Sequence, residues 1–197
     1  MGLFDKVKNK IQEKANEIHV CHHCGKEFSG LFSGIKASDG VYFCTDCFPA
    51  ETKLMKQKGV CGDFSIHRLD SQGCEKYLAY REKERKRATA FSETGNWLGG
   101  NLLVDAEHRY FKLADFDEVF EIQQIKYLIV GGVYHDGKIS ALCSLSMGNP
   151  IYKTLPVEFV MKPTTFFKKN QYQEFYNYVH EFRESVCPHA DLDLGKF

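Results

Sequence analysis

Two CxxC pairs, Cys21/Cys24 and Cys44/Cys47, stand in the first quarter of the chain with 19 residues between them. Zinc takes four soft or borderline ligands in a tetrahedron, and each CxxC turn presents two thiolates to one ion. The interval falls in the range of zinc sites. The expectation is therefore one structural Zn2+ per chain, held by Cys21, Cys24, Cys44 and Cys47. Four protein thiolates leave no position open for water or substrate, so the site reads as structural. Metal binding on the order of 10 to 16 kcal/mol would then drive the folding of a segment too small to fold alone. Gly25, directly after Cys24, suits a knuckle that needs positive φ. His19, His22 and His23 crowd the first pair, and any could replace a thiolate, but two complete pairs make that unnecessary. A redox CxxC would normally sit on a thioredoxin-like βαβ pattern, which this stretch lacks.

The other four cysteines, Cys61, Cys74, Cys143 and Cys187, are scattered singly. In a reducing compartment that distribution favours metal over disulfides. Cys143 with His135 would make a nucleophile and base, but Cys143 falls in the inward phase of a strand, where a cysteine behaves as a small hydrophobe. Cys187 and His189 in "CPHA" supply only two ligands. The chain has no Gly-rich phosphate loop, GxSxG or HExxH. No catalytic and no cofactor-binding residues are assigned beyond the metal ligands, and the protein is not expected to be an enzyme.

Composition narrows the partners. The 197 residues allow one ordinary domain plus a small module, and 43% hydrophobic content is normal for a globular protein. Twenty-six basic and 26 acidic residues cancel, which lacks the cationic excess of a duplex binder. Residues 19 to 60 hold five lysines (26, 36, 53, 56, 58) and four acids (Glu27, Asp39, Asp46, Glu51), a net of +1. Zinc with four thiolates adds about −2, leaving the module near −1. Nucleic acid is an unlikely target, and protein contact is the better expectation. The chain has no run of about 18 apolar residues, and "MGLFDKVKNKIQEK" has no uninterrupted apolar core for a signal peptide. A cytoplasmic location is expected, with the alternative of a peripheral place at the membrane.

The elements that must position these residues follow from periodicity. In residues 1–18, Leu3, Phe4, Val7, Ile11, Ala15 and Ile18 recur at helical spacing, with Lys6, Lys8, Lys10 and Lys14 on other faces. An amphipathic helix of this kind usually docks on its own protein or on a second copy. Residues 19–60 read as the zinc module: a knuckle, a hairpin around "ASDG", a second knuckle, then a helix over "FPAETKLMKQKG" from Pro49 to a stop at Gly59. Residues 61–90 read as a charged helical linker. Tyr77, Leu78 and Tyr80 are too few for a core, and "REKERKR" looks like a solvated face. From residue 91 to about 190 the period is two. "NLLVD" and "RYFKL" flank "AEH" as a hairpin, "IKYLIVGG" is a buried strand, "HDGK" a turn, and "ISALCSLSM" and "LPVEFVM" further strands. The last element is a helix striped by Tyr172, Phe175, Tyr176, Val179, Phe182 and Val186, with Pro188 beyond its end. Strands closed by one helix make an α+β layout.

Knuckle, hairpin, and a second knuckle leading into a helix resembles the treble-clef class of zinc modules. The opening "GLFDKVKNKI" is similar to amphibian membrane-active peptides that begin GLFD and carry spaced lysines, a family that lies in the lipid interface. Taken together, "MGLFDK", "CHHCGKEFSGLFSGIKASDGVYFCTDC", "NLLVDAEHRYFKL" and "FDEVFEIQQIKYLIVGG" resemble a family of uncharacterised bacterial proteins. These pair an N-terminal four-cysteine domain with a downstream region of pleckstrin-homology-like character. The resemblance implies zinc ligation by the four cysteines and a mainly antiparallel β domain closed by a C-terminal helix. It brings no enzymatic residues. Pleckstrin-homology domains that bind phosphoinositides cluster Lys and Arg around the first hairpin, whereas this turn is "DAEH" with Arg109 as the nearby cation, so that ligand is not expected.

The functional expectation is a non-catalytic zinc-binding adaptor or regulatory protein that contacts protein partners, with a homo-oligomer left open. The alternative is peripheral membrane association through residues 2–18, helped by Lys162, Lys168 and Lys169.

Overall fold

The computed structural model describes residues 3–30, 33–97, 101–135, 138–159 and 170–194. The chain is α+β with mostly antiparallel strands, and it divides into two units: Met1–Thr52 with Phe64–Glu82, and Lys53–Asp63 with Lys83–Phe197.

The first unit opens with helix α1 (Leu3–Asn16). Two short hairpins follow. Strand β1 (Ile18–Val20) pairs antiparallel with β2 (Glu27–Ser29), and β3 (Gly34–Lys36) with β4 (Tyr42–Cys44). The "ASDG" turn forms as expected, closed by the bond from Gly40 N–H to the Ala37 carbonyl at 2.9 Å. A 3₁₀ turn, Ile66–Arg68, leads into helix α2 (Ser71–Ala90). Its start is capped twice. Asp70 Oδ1 accepts the Gly73 N–H at 2.7 Å, and Asp39 Oδ2, reaching from the hairpin turn, accepts the Ser71 N–H at 3.0 Å. Both carboxylates satisfy amides that a helix leaves without internal partners.

Cys74, Tyr77 and Leu78 lie at i, i+3 and i+4 on α2 and are all buried, the spacing of a helical stripe that faces a core. Tyr77 stacks on Phe48 with ring centroids 5.0 Å apart, and Phe48 meets Phe43 at 5.8 Å. The stretch expected to be a solvated linker is thus half core. In the second unit the end of α2 continues the correction, because Glu84 and Arg87 of "REKERKR" are buried as well. Arg87 Nε donates to the Val119 carbonyl at 2.9 Å, and its guanidinium meets Glu121 at 3.0 Å.

A second correction concerns residues 49–60, which form turns and no helix. Leu54, Met55, Val60 and Cys61 are buried, and the Val60 carbonyl accepts amides from Lys153 and Thr154 at 2.7 and 3.2 Å. These long-range bonds and burial outweigh a weak local propensity. The helix expected after the second knuckle of a treble clef is therefore missing at that place.

In the second unit, β5 (Gly95–Trp97), β6 (Leu102–Asp105), β7 (Tyr110–Leu113) and β8 (Phe120–Glu121) form one antiparallel sheet in that order. The β6–β7 hairpin is the one expected around "AEH". After a 3₁₀ turn come β9 (Ile125–His135), β10 (Lys138–Met147) and β11 (Thr154–Phe159), then helix α3 (Asn170–Val186) and β12 (Asp191–Leu194). The second sheet has the order β11, β10, β9, β12, with β12 parallel to β9. Along β9, Leu128 and Val130 are buried while Tyr127 and Ile129 are exposed, the alternation of a strand with one covered face. Val179, Phe182 and Val186 of α3 are buried, and Trp97 of β5 packs edge-on against Phe182 at 5.6 Å. Tyr176, expected on the same stripe, is 36% exposed. The side chains of His135, Cys143, Tyr172 and Phe175 lie outside the described residues, as do Lys162, Lys168 and Lys169 and the tip of "HDGK".

Helix α1 differs from expectation most. It forms, but Phe4 is 90% exposed, and Val7 and Ile11 are each about half exposed. Its apolar stripe does not dock on the chain's own described residues. No helix among the described residues is long and apolar enough to cross a membrane.

Candidate metal centre

The first CxxC sits in the turn between β1 and β2. The Cys21 N–H donates to the Lys26 carbonyl at 2.9 Å, and the Gly25 N–H folds back to the Cys21 carbonyl at 2.8 Å. Gly25 takes φ +72°, as its place after the second cysteine requires. The second CxxC begins on the last residue of β4, where the N–H groups of Cys47 and Phe48 donate to the Cys44 carbonyl at 3.1 and 2.9 Å. A bond from the His22 N–H to the Tyr42 carbonyl, 2.8 Å, holds the first turn beside the second hairpin.

This folding brings the sulfurs of Cys21, Cys24, Cys44 and Cys47 within 4.8 Å of one another. Cys24 and Cys44 Sγ are 3.8 Å apart. A tetrahedron with metal–sulfur bonds of about 2.3 Å separates its sulfurs by about 3.8 Å. The cluster is compatible with a four-thiolate metal site. Among the described residues it is the one group of three or more Cys, His, Asp or Glu side chains close enough to share an ion. Cys21 and Cys44 are buried, Cys47 is half-buried and Cys24 is exposed, so the group sits at the surface with one side sealed.

The surroundings favour a thiolate at Cys21. Burial alone would raise this thiol, but N–H groups of Cys44, Cys24 and His23 outweigh it and bring it down to about 6. Cys44 and Cys47 move the opposite way: burial raises Cys44, and the Cys24 sulfur, followed by burial, raises Cys47. One negative charge is welcomed and further charges are resisted, as four touching sulfurs must do until a cation joins them.

The three neighbouring histidines are engaged elsewhere. His19 stacks on Tyr42 with centroids 3.8 Å apart, His22 meets the edge of Phe43, and His23 pairs with Glu75 at 2.9 Å. Lys26 pairs with Asp46 across the two turns at 2.5 Å. The Glu75 and Asp46 partners carry no sequence motif that would have announced them.

Among the described side chains, the singly placed Cys61, Cys74 and Cys187 join no such group. Cys74 lies in the first unit's core, where burial, with Asp39, Asp70 and Glu75 nearby, pushes it up to about 11. Cys187 lies in the second unit's core, pushed up by burial to about 12, while His189 is exposed. No family model matches the chain, and no curated protein or solved structure does either.

Proposed function

We propose that Cys21, Cys24, Cys44 and Cys47 bind one structural zinc ion, and that the protein is a non-catalytic adaptor whose zinc-stabilised module presents a surface to a protein partner. The observation that carries the metal reading is the gathering of four sulfurs within 4.8 Å from two turns. Soft thiolates in tetrahedral reach select zinc over hard cations such as magnesium or calcium. With all four positions filled by protein, the ion's work is to hold two hairpins together. The adaptor reading draws on the near-neutral charge of the module and on the filled coordination shell. For the second unit we infer a pleckstrin-homology-like domain, a reading supported by its two four-stranded sheets and the C-terminal helix α3. The parallel strand β12 after that helix is an addition to the pattern.

Metal analysis of the purified protein and of its Cys44→Ser variant tests the first claim. About one zinc per chain is expected, lost or weakened in the variant together with the fold of the first unit. A fully folded metal-free protein with disulfides 21/24 and 44/47 would overturn it. For the adaptor claim, affinity capture from the native cell extract should retain a protein partner on the zinc-loaded chain and lose it with Cys44→Ser. A partner that binds both equally would place the contact outside the zinc module.

A further inference from the structure

Helix α1 presents an apolar stripe that the described part of the chain leaves uncovered. Phe4, Val7 and Ile11 are 90%, 52% and 51% exposed. Several other apolar side chains reach the surface, Ile18 and Val20 just after the helix among them, but Phe43, Phe48, Phe111, Phe120 and Phe182 are all sealed, and Phe4 is the most exposed of the described large apolar residues. One exposed apolar residue would mean little, but Phe4, Val7 and Ile11 stand in a row on one helix face, and a contiguous exposed apolar face marks an interaction site.

The charges on α1 say which occupant fits. With about 100° per residue, Phe4, Val7, Ile11 and Ala15 occupy an arc of about 80°. Position 8 borders one edge of that arc, and positions 10 and 14, with Leu3 between them on the helical wheel, border the other; positions 8, 10 and 14 are all lysines. Position 6, also lysine, lies further round on the side of position 10. The two acids of the helix, Asp5 and Glu13, fall on the far side with Asn9, Gln12 and Asn16. Four lysines against two acids give α1 a local charge of +2 in a chain whose basic and acidic residues balance.

Cations along both borders of an apolar stripe match a surface that is apolar in depth and negative at its rim. Anionic lipid has that layering: acyl chains below, phosphate headgroups above. A lysine stem at such a border covers apolar surface while its ammonium stays at headgroup level. A second copy of α1 fits poorly, because pairing the stripes would bring lysine borders against lysine borders while the acids stay on the outer face. At 14 residues the helix is about 21 Å long, too short to span a bilayer and suited to lying along one.

We propose that α1 lies along an anionic lipid surface, with Phe4, Val7 and Ile11 in the acyl boundary and the flanking lysines among the headgroups. This goes beyond the zinc site and does not depend on it. Co-sedimentation of the full zinc-loaded chain with phosphatidylcholine vesicles, with and without phosphatidylglycerol, is the test. Binding is expected with phosphatidylglycerol, weaker by roughly tenfold or more without it, and weakened by added salt. The Phe4→Ser/Ile11→Ser variant should abolish it, and Lys8→Gln/Lys10→Gln should reduce it by roughly tenfold. Phe4, Lys8 and Ile11 are exposed, and zinc content with thermal unfolding verifies that each variant folds. No sedimentation with anionic vesicles overturns the proposal. So does equal binding by the Phe4→Ser/Ile11→Ser variant, which would place the contact elsewhere. Self-association without lipid that disappears in that variant would identify a second copy as the occupant and overturn it too.

Discussion

The backbone N–H of Cys44 donates to the sulfur of Cys21 across 3.3 Å. One bond thus ties the end of strand β4 in the second hairpin to the turn of the first, so the two CxxC pairs are aligned by the backbone as well as by any shared ion. An amide aimed at a sulfur favours its thiolate, and a metal at that position would gain a ligand already turned toward it.

Chelation should separate the two units chemically. In the zinc-loaded protein, iodoacetamide is expected to spare Cys21, Cys24, Cys44 and Cys47, because metal-bound thiolates are poorly available. Cys74 and Cys187 should be spared too, because burial pushes their thiols up to about 11 and 12. Adding a chelator should expose the four ligands together with Cys74, whose burial belongs to the first unit. Cys187 should stay protected, since the second unit has its own core of Phe111, Leu128, Leu145 and Phe182. Mass spectrometry of the labelled peptides reads the order. Labelling of Cys187 in step with the ligands would mean that the second unit does not stand without the metal.

Two glycines in the module should respond differently to alanine. Gly25 holds φ +72° with open space where a Cβ would go, so Gly25→Ala meets only the backbone penalty, about 1 kcal/mol. At Gly34 the backbone angle is ordinary but the space is gone. A Cβ there would lie 2.3 Å from the Phe28 ring and 2.6 Å from the Phe43 carbonyl oxygen. The ring can move; the carbonyl belongs to the β3–β4 pairing and cannot move without loosening it. Gly34→Ala is expected to cost more, roughly 1 to 3 kcal/mol. Thermal unfolding of the zinc-loaded variants decides the ranking, and equal losses would show that Phe28 and β4 yield easily.

What the sequence announced and what it hid divide along the range of the forces involved. The CxxC turns, the positive φ of Gly25, the β6–β7 hairpin and helix α3 are local patterns, each fixed by residues a few places apart. Residues 49–60 carry the local marks of a helix, yet the amides of Lys153 and Thr154 claim the Val60 carbonyl from nearly a hundred positions away, and nothing near Val60 signals it. Burial of Arg87 has the same origin, since its partners Val119 and Glu121 are remote. Strand β12 is hidden for a third reason: four residues of "DLDL" are too few to show a period, and their place depends on the far strand β9.

Arg87 itself gives a sharp test of that hidden packing. It is 6% exposed and donates Nε to the Val119 carbonyl, whereas its partner Glu121 is about half exposed. Arg87→Ala leaves a buried carbonyl without this donor and opens a gap, which should cost roughly 2 to 4 kcal/mol. Glu121→Gln keeps the shape and weakens only a half-solvated ion pair, for which a loss under about 1 kcal/mol is expected. Denaturant midpoints of the two variants check the difference. Comparable losses would assign the stabilisation to the ion pair and not to the buried carbonyl.

Asp105 makes the second unit sensitive to acid. The residue is sealed at the end of β6 and accepts the N–H of Ser92 at 2.7 Å, the N–H of His108 at 3.0 Å and the His108 Nδ1 at 2.9 Å. Burial alone would raise this carboxyl, but the amides of Ser92 and His108, then the imidazole, outweigh it and hold it below its usual range. The folded value therefore lies below the unfolded one near about 4. The stability contributed is fully present above the unfolded value and is lost as pH falls through the folded one. Asp105→Asn keeps one acceptor oxygen and removes the charge, so at pH near 7 it should destabilise the unit by roughly 2 kcal/mol. Because only the wild type loses this contribution in acid, the gap between the two unfolding temperatures should narrow as pH drops below about 4. A gap that stays constant from neutral pH to about 3 would mean that the carboxylate's charge contributes nothing, and that the variant's loss comes from shape and hydrogen bonding alone.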